Sequence, residues 1–359
     1  MFKVYQKYLI QNFFIKFFYI TLIFLSLIFI LGILEEISFF KDLEKNIFYS
    51  ITLTLLNAPI TLFEIFPFIF LLTTQFVFYD MIKSEELNVL KKNGLTNLNI
   101  IKILFLLSII IGVINVLIYY NLASSLKFYY TNIKNSFSND NKYLAMVTNS
   151  GLWIKDEIND KTLITNSNYI EKNFLKETTI NEFDSNFILI QTIQSNNIDI
   201  ENNNWIVYKP KITKNNITTE DNDQIIISTN FNVNKINNIF SNISTLNLSK
   251  LFNLKKEFEE VGYSTDEIVI HLLKLSSMPI FYGVLTVLSS IIMFNFTQQK
   301  SLLFHIIIGI LMSVIIYYLN FIFNSLGNNG RIPINVSIFF PLIIVSLFSI
   351  IGLVNINEK

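Results

Sequence analysis

Long apolar runs alternate with polar stretches along this 359-residue chain. A membrane-spanning α-helix needs about 20 mostly apolar residues. Six windows meet this length and predict six spanning helices: Phe17–Leu34, Ile51–Tyr79, Ile103–Leu122, Leu275–Phe296, Leu302–Phe323 and Val336–Ile356. A long segment of different character separates the third window from the fourth, so the predicted helices form two groups of three.

That middle segment, Phe128–Thr265, has short runs of alternating apolar and polar residues broken by Asn and Asp clusters. Alternation with a period near two is typical of β-strands. The runs predict strands at Tyr143–Val147, Gly151–Ile154, Thr162–Ile164, Phe187–Thr192, Trp205–Tyr208 and Ile225–Thr229. They favour an all-β sandwich or roll, with Trp153 and Trp205 in its core. Leu251–Val261 instead predicts an amphipathic helix that is closed by Gly262.

The distribution of lysine predicts which helix ends face the cytoplasm, because short cytoplasmic loops are enriched in Lys and Arg. Lysines precede the first helix, lie in the loops after the second and fourth, and end the chain: Lys3, Lys7, Lys16, Lys83, Lys91, Lys92, Lys102, Lys300 and Lys359. All of them fall on one side of the predicted bundle. We therefore expect both termini to be cytoplasmic and the middle segment to lie outside the cytoplasm.

Composition agrees with a membrane protein and argues against several kinds of chemistry. Charged residues make up 15% of the chain, against roughly 25% in ordinary globular domains. The formal net charge is zero, so nothing indicates nucleic-acid binding. The chain has no Cys and only two His, which excludes disulfides and offers no zinc site by itself. We expect no metal, no other cofactor and no catalytic residues.

The sequence also lacks an energy source for transport. Phosphate-loop ATPases need G-x-x-x-x-G-K-[ST], and none of the ten Gly residues precedes a Lys. Ionisable residues inside the membrane mark ion-coupled transporters. The predicted spans carry very few, of which Glu64 is the main one. If the chain transports a substrate, we expect a partner chain to hydrolyse ATP.

The segment between the second and third predicted helices, Asp80–Lys102, combines a helix start with a helix stop. We predict a short amphipathic helix over about 84–94, with Ser84 as its N-cap. Two acids in the first turn, two leucines on one face and a terminal glycine support this prediction: Glu85, Glu86, Leu87, Leu90 and Gly94. Such a helix is either a plain connection or a coupling helix that docks into a groove on a cytoplasmic ATPase.

This segment also resembles the S-E-L…G-[FLIV]-[ST] segment of the LptF/LptG permeases of lipopolysaccharide export. Other stretches resemble the same family, in the same order along nearly the whole chain. They are N-A-P-I-T-L-F-E-I-F-P-F (Asn57–Phe68), S-G-L-W-I-K-D (Ser150–Asp156), N-W-I-V-Y (Asn204–Tyr208), L-S-K-L-F (Leu248–Phe252), V-G-Y-S (Val261–Ser264), H-L-L-K-L-S-S-M-P (His271–Pro279) and L-G-N-N-G-R-I-P-I-N-V-S-I-F-F-P (Leu326–Pro341). Pro341 and the W-I-K-D strand are more similar to the LptG branch.

The resemblance implies a fold, a function and partners. The fold is six transmembrane helices with a periplasmic jellyroll-like all-β domain inserted between helices 3 and 4, here divided as 1–127, 128–265 and 266–359. The function is a permease subunit of an ATP-driven transporter that extracts lipopolysaccharide from the inner membrane of a Gram-negative bacterium and passes it toward the outer membrane. The partners are an LptB-like ATPase dimer, an LptF-like sibling permease, and LptC-like and LptA-like bridge proteins.

The resemblance also implies roles for individual residues. The family's coupling-helix glutamate, which pairs with an arginine of the ATPase, aligns with Glu86. Glu85 is an extra acid beside it, so either one is a candidate for this contact. Basic residues at the outer end of helix one contact lipid phosphates in the family, which makes Lys41 and Lys45 candidates here.

Several conspicuous side chains are better explained by packing than by ligand binding. A phenylalanine stripe on helix one is expected to face lipid or neighbouring helices: Phe13, Phe14, Phe17, Phe18 and Phe24. We expect Arg331 to anchor the membrane interface and His271 to be a hydrogen-bonded interfacial residue.

Two other functional classes compete with a transport subunit. A membrane-anchored signalling or scaffolding protein would sense through its outer domain, but the six-helix layout argues against it. A membrane-embedded enzyme would need a convergent acid–base or metal set, which the sequence does not contain. The proteins that co-purify with the chain would separate these hypotheses.

Overall fold

The computed structural model describes residues 3–41, 46–137, 152–158, 161–171, 173–215, 217–220, 223–233, 236, 243–261, 264–294 and 301–357. Six helices in these ranges are long and apolar enough to cross a membrane, which confirms the predicted number. We call them the first to sixth long helices. They are Val4–Phe40; Ile47–Lys83; a third that runs through Asn97–Ile114, Asn115–Tyr119 and Tyr120–Ser136; Asp266–Phe294; Leu302–Asn328; and Ile334–Asn357.

The long helices extend beyond most of the apolar windows that predicted them. The first was expected over Phe17–Leu34 and runs over Val4–Phe40, which is 37 residues. At 1.5 Å per residue this is about 55 Å, whereas a hydrocarbon core is about 30 Å thick. Hydropathy detects the part of a helix that matches the hydrocarbon, while backbone hydrogen bonding continues into the polar ends.

The third long helix contains a π-helical turn, Asn115–Tyr119, which the apolar pattern does not reveal. Such turns inside α-helices often lie at functional sites. The Tyr119 hydroxyl donates to the carbonyl oxygen of Pro59 in the second long helix at 3.0 Å. The buried Asn115 amide donates to the Tyr282 hydroxyl in the fourth at 3.4 Å. The turn therefore joins three helices.

The fourth long helix lies at the centre of the bundle. Of its most apolar window 78% is buried, compared with 6% for the first long helix. It approaches the third closely: a Cβ atom added to Gly112 would lie 2.8 Å from the Cα atom of Pro279. The hydroxyls of Ser108 and Thr286 also hydrogen-bond at 2.8 Å. In lipid, close packing and interhelical hydrogen bonds stabilise helix pairs, so this pair joins the two halves of the bundle.

Among the described residues of the middle segment, eight strands form one antiparallel sheet. They are β1 Leu152–Ile158, β2 Lys161–Glu171, β3 Phe174–Phe183, β4 Leu189–Asp199, β5 Asn204–Tyr208, β6 Lys211–Lys214, β7 Ile217–Glu220 and β8 Ile225–Ser228. The order is β1-β2-β3-β4-β5-β8, and β6 pairs with both β4 and β7. This half-barrel sheet between the third and fourth long helices confirms the predicted inserted all-β domain.

Asp156 links the two ends of this strand order. Its carboxylate, in β1, accepts hydrogen bonds from the Thr229 hydroxyl, the Asn230 backbone N–H and the Asn230 side-chain amide at 2.7, 2.8 and 2.8 Å. Thr229 and Asn230 directly follow β8, so the sheet curls until its edge strands approach each other. The curl encloses an apolar core: Leu152, Ile154, Leu163, Leu175, Ile180, Ile193, Ile198, Ile200, Trp205, Val207, Phe231 and Ile236.

The predicted strands agree with the structure in part. β1, β2, β4, β5 and β8 overlap predicted runs, whereas β3, β6 and β7 were not predicted. Tyr143–Val147 lies outside the described residues. Trp205 is buried and donates its indole N–H to the Phe231 carbonyl oxygen at 2.9 Å. The prediction for Trp153 is wrong, because its side chain is 53% exposed on the face of β1 opposite the buried Leu152 and Ile154.

The predicted amphipathic helix after the sheet is present as Leu248–Val261, three residues longer at its start. Gly262, which was predicted to close it, lies outside the described residues. The chain divides into two compact units, one centred on the long helices and the other on the sheet.

Candidate functional site

A short helix, Glu86–Lys92, joins the second and third long helices, and we call it the connecting helix. Its end is a Schellman motif, in which the Gly94 N–H bonds to the Lys91 carbonyl at 2.9 Å and the Leu95 N–H to the Leu90 carbonyl at 3.1 Å. Gly94 has φ +85°, a conformation that glycine adopts without strain. The predicted helix stop at Gly94 is confirmed.

The start of the connecting helix differs from the prediction. Ser84, expected as its N-cap, instead ends the second long helix and donates its hydroxyl to the Asp80 carbonyl oxygen at 2.8 Å. Glu85 takes the N-cap position with φ 57° and makes no side-chain capping bond. The Ser84 prediction is wrong because the second long helix continues to Lys83 and uses the serine at its own end.

The two candidate acids have different surroundings. Glu85 is exposed, whereas Glu86 is half-buried and its carboxylate accepts a hydrogen bond from the Tyr8 hydroxyl of the first long helix. Two turns further along that helix, the Lys16 ammonium pairs with Asp80. Glu86 is therefore held in a defined position by another helix, and Glu85 faces solvent.

Other contacts fix the connecting helix to the bundle. Leu87 is buried and Leu90 is half-buried, as expected for the two leucines of its apolar face. The Lys91 ammonium lies 5.3 Å from the ring centroid of Phe294, at the end of the fourth long helix, a cation–π contact. The opposite face carries an exposed apolar side chain, Val89.

A cavity of about 530 Å³ lies between the second, fourth, fifth and sixth long helices. Much of its lining is apolar: Pro67, Phe68, Met278, Phe281, Leu285, Ile316, Phe321, Ile338 and Leu342. Two opposite charges, Glu64 and Lys274, also line it. Glu64, the main ionisable residue predicted within a span, therefore borders this cavity.

The fifth long helix presents a polar stripe to the same cavity: Ser313, Tyr317, Asn320, Asn324 and Asn328. Their spacing of three or four residues places them on one face of an α-helix. The Asn320 amide donates to the Ile316 carbonyl at 3.1 Å and the Ser313 hydroxyl to the Ile310 carbonyl at 2.7 Å. Both bonds satisfy the side chains within their own helix, and an asparagine that makes one such bond keeps further donor and acceptor capacity.

His271 makes the kind of contact expected of a residue with a structural role. Its Nε2 atom lies 2.8 Å from the Tyr120 hydroxyl of the third long helix. Arg331 is exposed after the end of the fifth long helix, and its backbone N–H bonds to the Leu326 carbonyl at 3.0 Å.

The structure separates the other predicted residues. Lys41 is exposed directly after the first long helix, and Lys45 lies outside the described residues. Phe13 is buried and Phe17 stacks on Phe66 at 5.9 Å, whereas Phe14 and Phe18 are exposed. The phenylalanine stripe therefore divides into a packing half and an outward half.

Sequence reasoning missed the polar stripe and Tyr8. The stripe is visible in the sequence, because Ser and Asn recur every three or four residues within an apolar window. A mean hydropathy taken over that window does not detect this periodicity. Tyr8 leaves no such signal, because its partner Glu86 lies 78 positions further along the chain and nothing in the segment around Tyr8 indicates that contact.

Comparison with known proteins adds the family. A family model described as lipopolysaccharide export system permease LptF/LptG matches residues 7–355, which is nearly the whole chain. That match does not separate the two branches, so the closer similarity to LptG stays a prediction. A search of curated proteins found no match. Since the match spans all six long helices, the connecting helix and the inserted sheet, the chain belongs to the LptF/LptG family of lipopolysaccharide export system permeases.

Proposed function

We propose that this chain is the membrane-spanning subunit of an ATP-driven transporter that extracts lipopolysaccharide from the inner membrane and passes it toward the outer membrane. The observation that carries the proposal is the family match over residues 7–355. The match is to a family of permeases, and a permease provides a path for its substrate rather than reacting side chains.

The cavity supports a path for an amphiphile. Acyl chains need apolar walls, whereas phosphates and sugars need polar, hydrated surroundings. Phe68 and Phe281 offer the first kind of wall, and Asn320 and Asn324 offer the second. A membrane anchor for a signalling domain needs neither, so this feature favours transport over the signalling or scaffolding alternative.

We assign ATP hydrolysis to an LptB-like dimer, because none of the chain's glycines precedes a lysine as a phosphate loop requires. The connecting helix is the proposed docking element. Its ordered end at Gly94, its buried Leu87 and its exposed Val89 support a helix that is fixed on one face and available on the other. Glu86 is the proposed partner of a cationic side chain in the ATPase groove.

The remaining assignments follow from the family. The other proposed partners are an LptF-like sibling permease and LptC-like and LptA-like bridge proteins. The proposed location is the inner membrane, with both termini cytoplasmic and the β domain periplasmic. Lys41, exposed at the end of the first long helix, is the proposed contact for a lipid phosphate.

The test is to purify the tagged full-length chain from its native membrane, identify the co-purifying proteins by mass spectrometry, and measure lipopolysaccharide release in proteoliposomes. We expect an ATPase and a sibling permease to co-purify. Glu86→Ala should lower complex yield or release about tenfold, the effect expected for loss of one charge-assisted contact.

Glu85→Ala is the matched control, because it removes the neighbouring exposed acid with the same truncation. It should behave like the wild-type chain. Equal loss in both variants would show that Glu86 has no special role, and absence of any ATPase from the purified material would overturn the proposed function itself.

A further inference from the structure

The first long helix carries a polar line at the end nearest the connecting helix. Tyr8, Asn12 and Lys16 recur every four residues and so share one face of this otherwise apolar helix. Tyr8 donates to the Glu86 carboxylate and Lys16 pairs with Asp80. Asn12 lies between them, in the groove that also contains Asp80 and Glu86. These contacts join the first long helix to both ends of the turn that leads into the connecting helix.

The first long helix depends on such contacts more than the other helices do. Only 6% of its most apolar window is buried, the smallest share among the six spans of the described residues. Its apolar attachment includes aromatic packing on the second long helix, such as Phe17 on Phe70 with ring centroids 5.2 Å apart. Because so little of its surface is buried, moving this helix costs less free energy than moving the fourth, which is enclosed on most sides.

The Tyr8–Glu86 hydrogen bond leaves Glu86 able to bind a second partner. Tyr8 engages the Oε2 atom, and an ionised carboxylate has about four acceptor positions on its two oxygens. Glu86 is half-buried and Tyr8 is 37% exposed, so the pair lies at the surface where a docked protein reaches it.

We propose that Tyr8 is a positioning residue that connects the ATPase-docking helix to the first long helix. Glu86 accepts from Tyr8 and at the same time binds a cation of the docked ATPase, so a displacement of the connecting helix moves the first long helix. This inference rests on the proposed function, because it needs an ATPase that docks on Glu86. The Lys16–Asp80 pair is a second attachment between the same segments.

The experiment uses the purified complex of this chain with its ATPase and sibling permease in proteoliposomes, and measures lipopolysaccharide released per ATP hydrolysed. Tyr8→Phe removes one hydroxyl and keeps the ring. We expect release per ATP to fall about threefold to tenfold, the range expected for one hydrogen bond to a charged acceptor, with unchanged complex yield and unchanged thermal unfolding. Tyr19→Phe is the matched control, because Tyr19 is an exposed tyrosine of the same helix.

A double variant separates a positioning role from a general structural one. If Tyr8 acts through Glu86, Tyr8→Phe has no further effect in a Glu86→Ala background, whereas independent effects multiply. Wild-type release per ATP in Tyr8→Phe, together with a defect in Glu86→Ala, overturns this inference and leaves the proposed function standing. Wild-type release in Glu86→Ala overturns the docking role on which both depend.

Discussion

Asp156 is a buried carboxylate whose hydrogen-bond partners come from the far edge of the sheet. It receives three hydrogen bonds from Thr229 and Asn230, which satisfy most of the acceptor capacity of one carboxylate. The same aspartate ends the W-I-K-D segment that supported the family resemblance. Its role in the structure is to hold the curled sheet together.

We predict that Asp156→Ala destabilises the β domain by about 3 kcal/mol, because the buried Thr229 hydroxyl and two donors of Asn230 lose a charged acceptor. Both tryptophans of the chain lie in this sheet, so tryptophan fluorescence during urea unfolding of the full chain reports on it selectively. Glu157→Ala is the control: its side chain is 68% exposed and its loss should change stability by less than about 0.5 kcal/mol. Equal urea midpoints for the two variants would contradict the proposal that Asp156 holds the edges of the curled sheet together.

The two tryptophans show how far the burial of a single side chain can be predicted from the sequence. Both follow the same alternating pattern, and both were expected in the core. Trp205 is buried, but Trp153 lies one position from the inward-facing Leu152 and Ile154. A strand changes face at every residue, so composition alone does not settle which side of β1 is inward.

At the scale of elements, the fifth long helix combines two surfaces. One face is apolar and exposed, and the other carries the polar stripe that borders the cavity. Placing a polar residue inside a membrane is energetically unfavourable unless it faces protein or a hydrated cavity. The stripe therefore predicts that this wall of the cavity meets water or a polar part of the substrate.

We predict that Asn324→Leu lowers lipopolysaccharide release in proteoliposomes about threefold or more, because an apolar side chain of similar size removes hydrogen-bonding capacity from the cavity wall. Tyr318→Leu is the control, since Tyr318 is an exposed polar residue on the same helix that does not line the cavity. Complex yield is measured for both. If Tyr318→Leu lowered release as much as Asn324→Leu, the polar stripe would have no specific role in transport.

Elements with a consistent apolar signal were predictable, and β3 shows why others were not. Its inward positions include Leu175 and Ile180, but also the polar Thr178 and Glu182. Cross-strand partners satisfy both: Thr178 bonds to the Ser167 hydroxyl at 3.1 Å, and Glu182 pairs with Lys161 at 2.6 Å. Because these partners lie on another strand, the local sequence of β3 shows no regular alternation of apolar and polar residues.

At the scale of the whole molecule, Gly112 marks the junction between the helices before the insertion and those after it. A methyl group there would lie 2.8 Å from the backbone of Pro279, where no side-chain rotation relieves the clash. Gly112→Ala should lower the free energy of unfolding by about 1–3 kcal/mol, measured by thermal unfolding of the purified chain in detergent.

Val113→Ala is the matched control, because Val113 neighbours Gly112 on the same helix and its side chain is exposed. Alanine is also the better helix former, so this variant should be neutral or slightly more stable. A loss of stability in Val113→Ala as large as that in Gly112→Ala would argue against a special junction at Gly112.

The number of spans, the inserted β domain and the connecting helix were predictable because each rests on a local pattern repeated over many residues. The links between them were not. The Tyr8–Glu86 hydrogen bond, the π-helical turn and the closure by Asp156 each depend on partners far away in the chain. Local periodicity contains no information about such pairs.

The close packing of the third long helix on the fourth bears on how such a chain tolerates change during evolution. The ends of these helices are joined through the whole inserted domain, yet the entropy of closing a loop rises only with the logarithm of its length, by about 0.6 kcal/mol for each doubling. A duplication or deletion inside the insert therefore leaves the register of the helix pair almost untouched. A chain of this fold can therefore carry a longer or shorter insert without disturbing the close approach of Gly112 to Pro279.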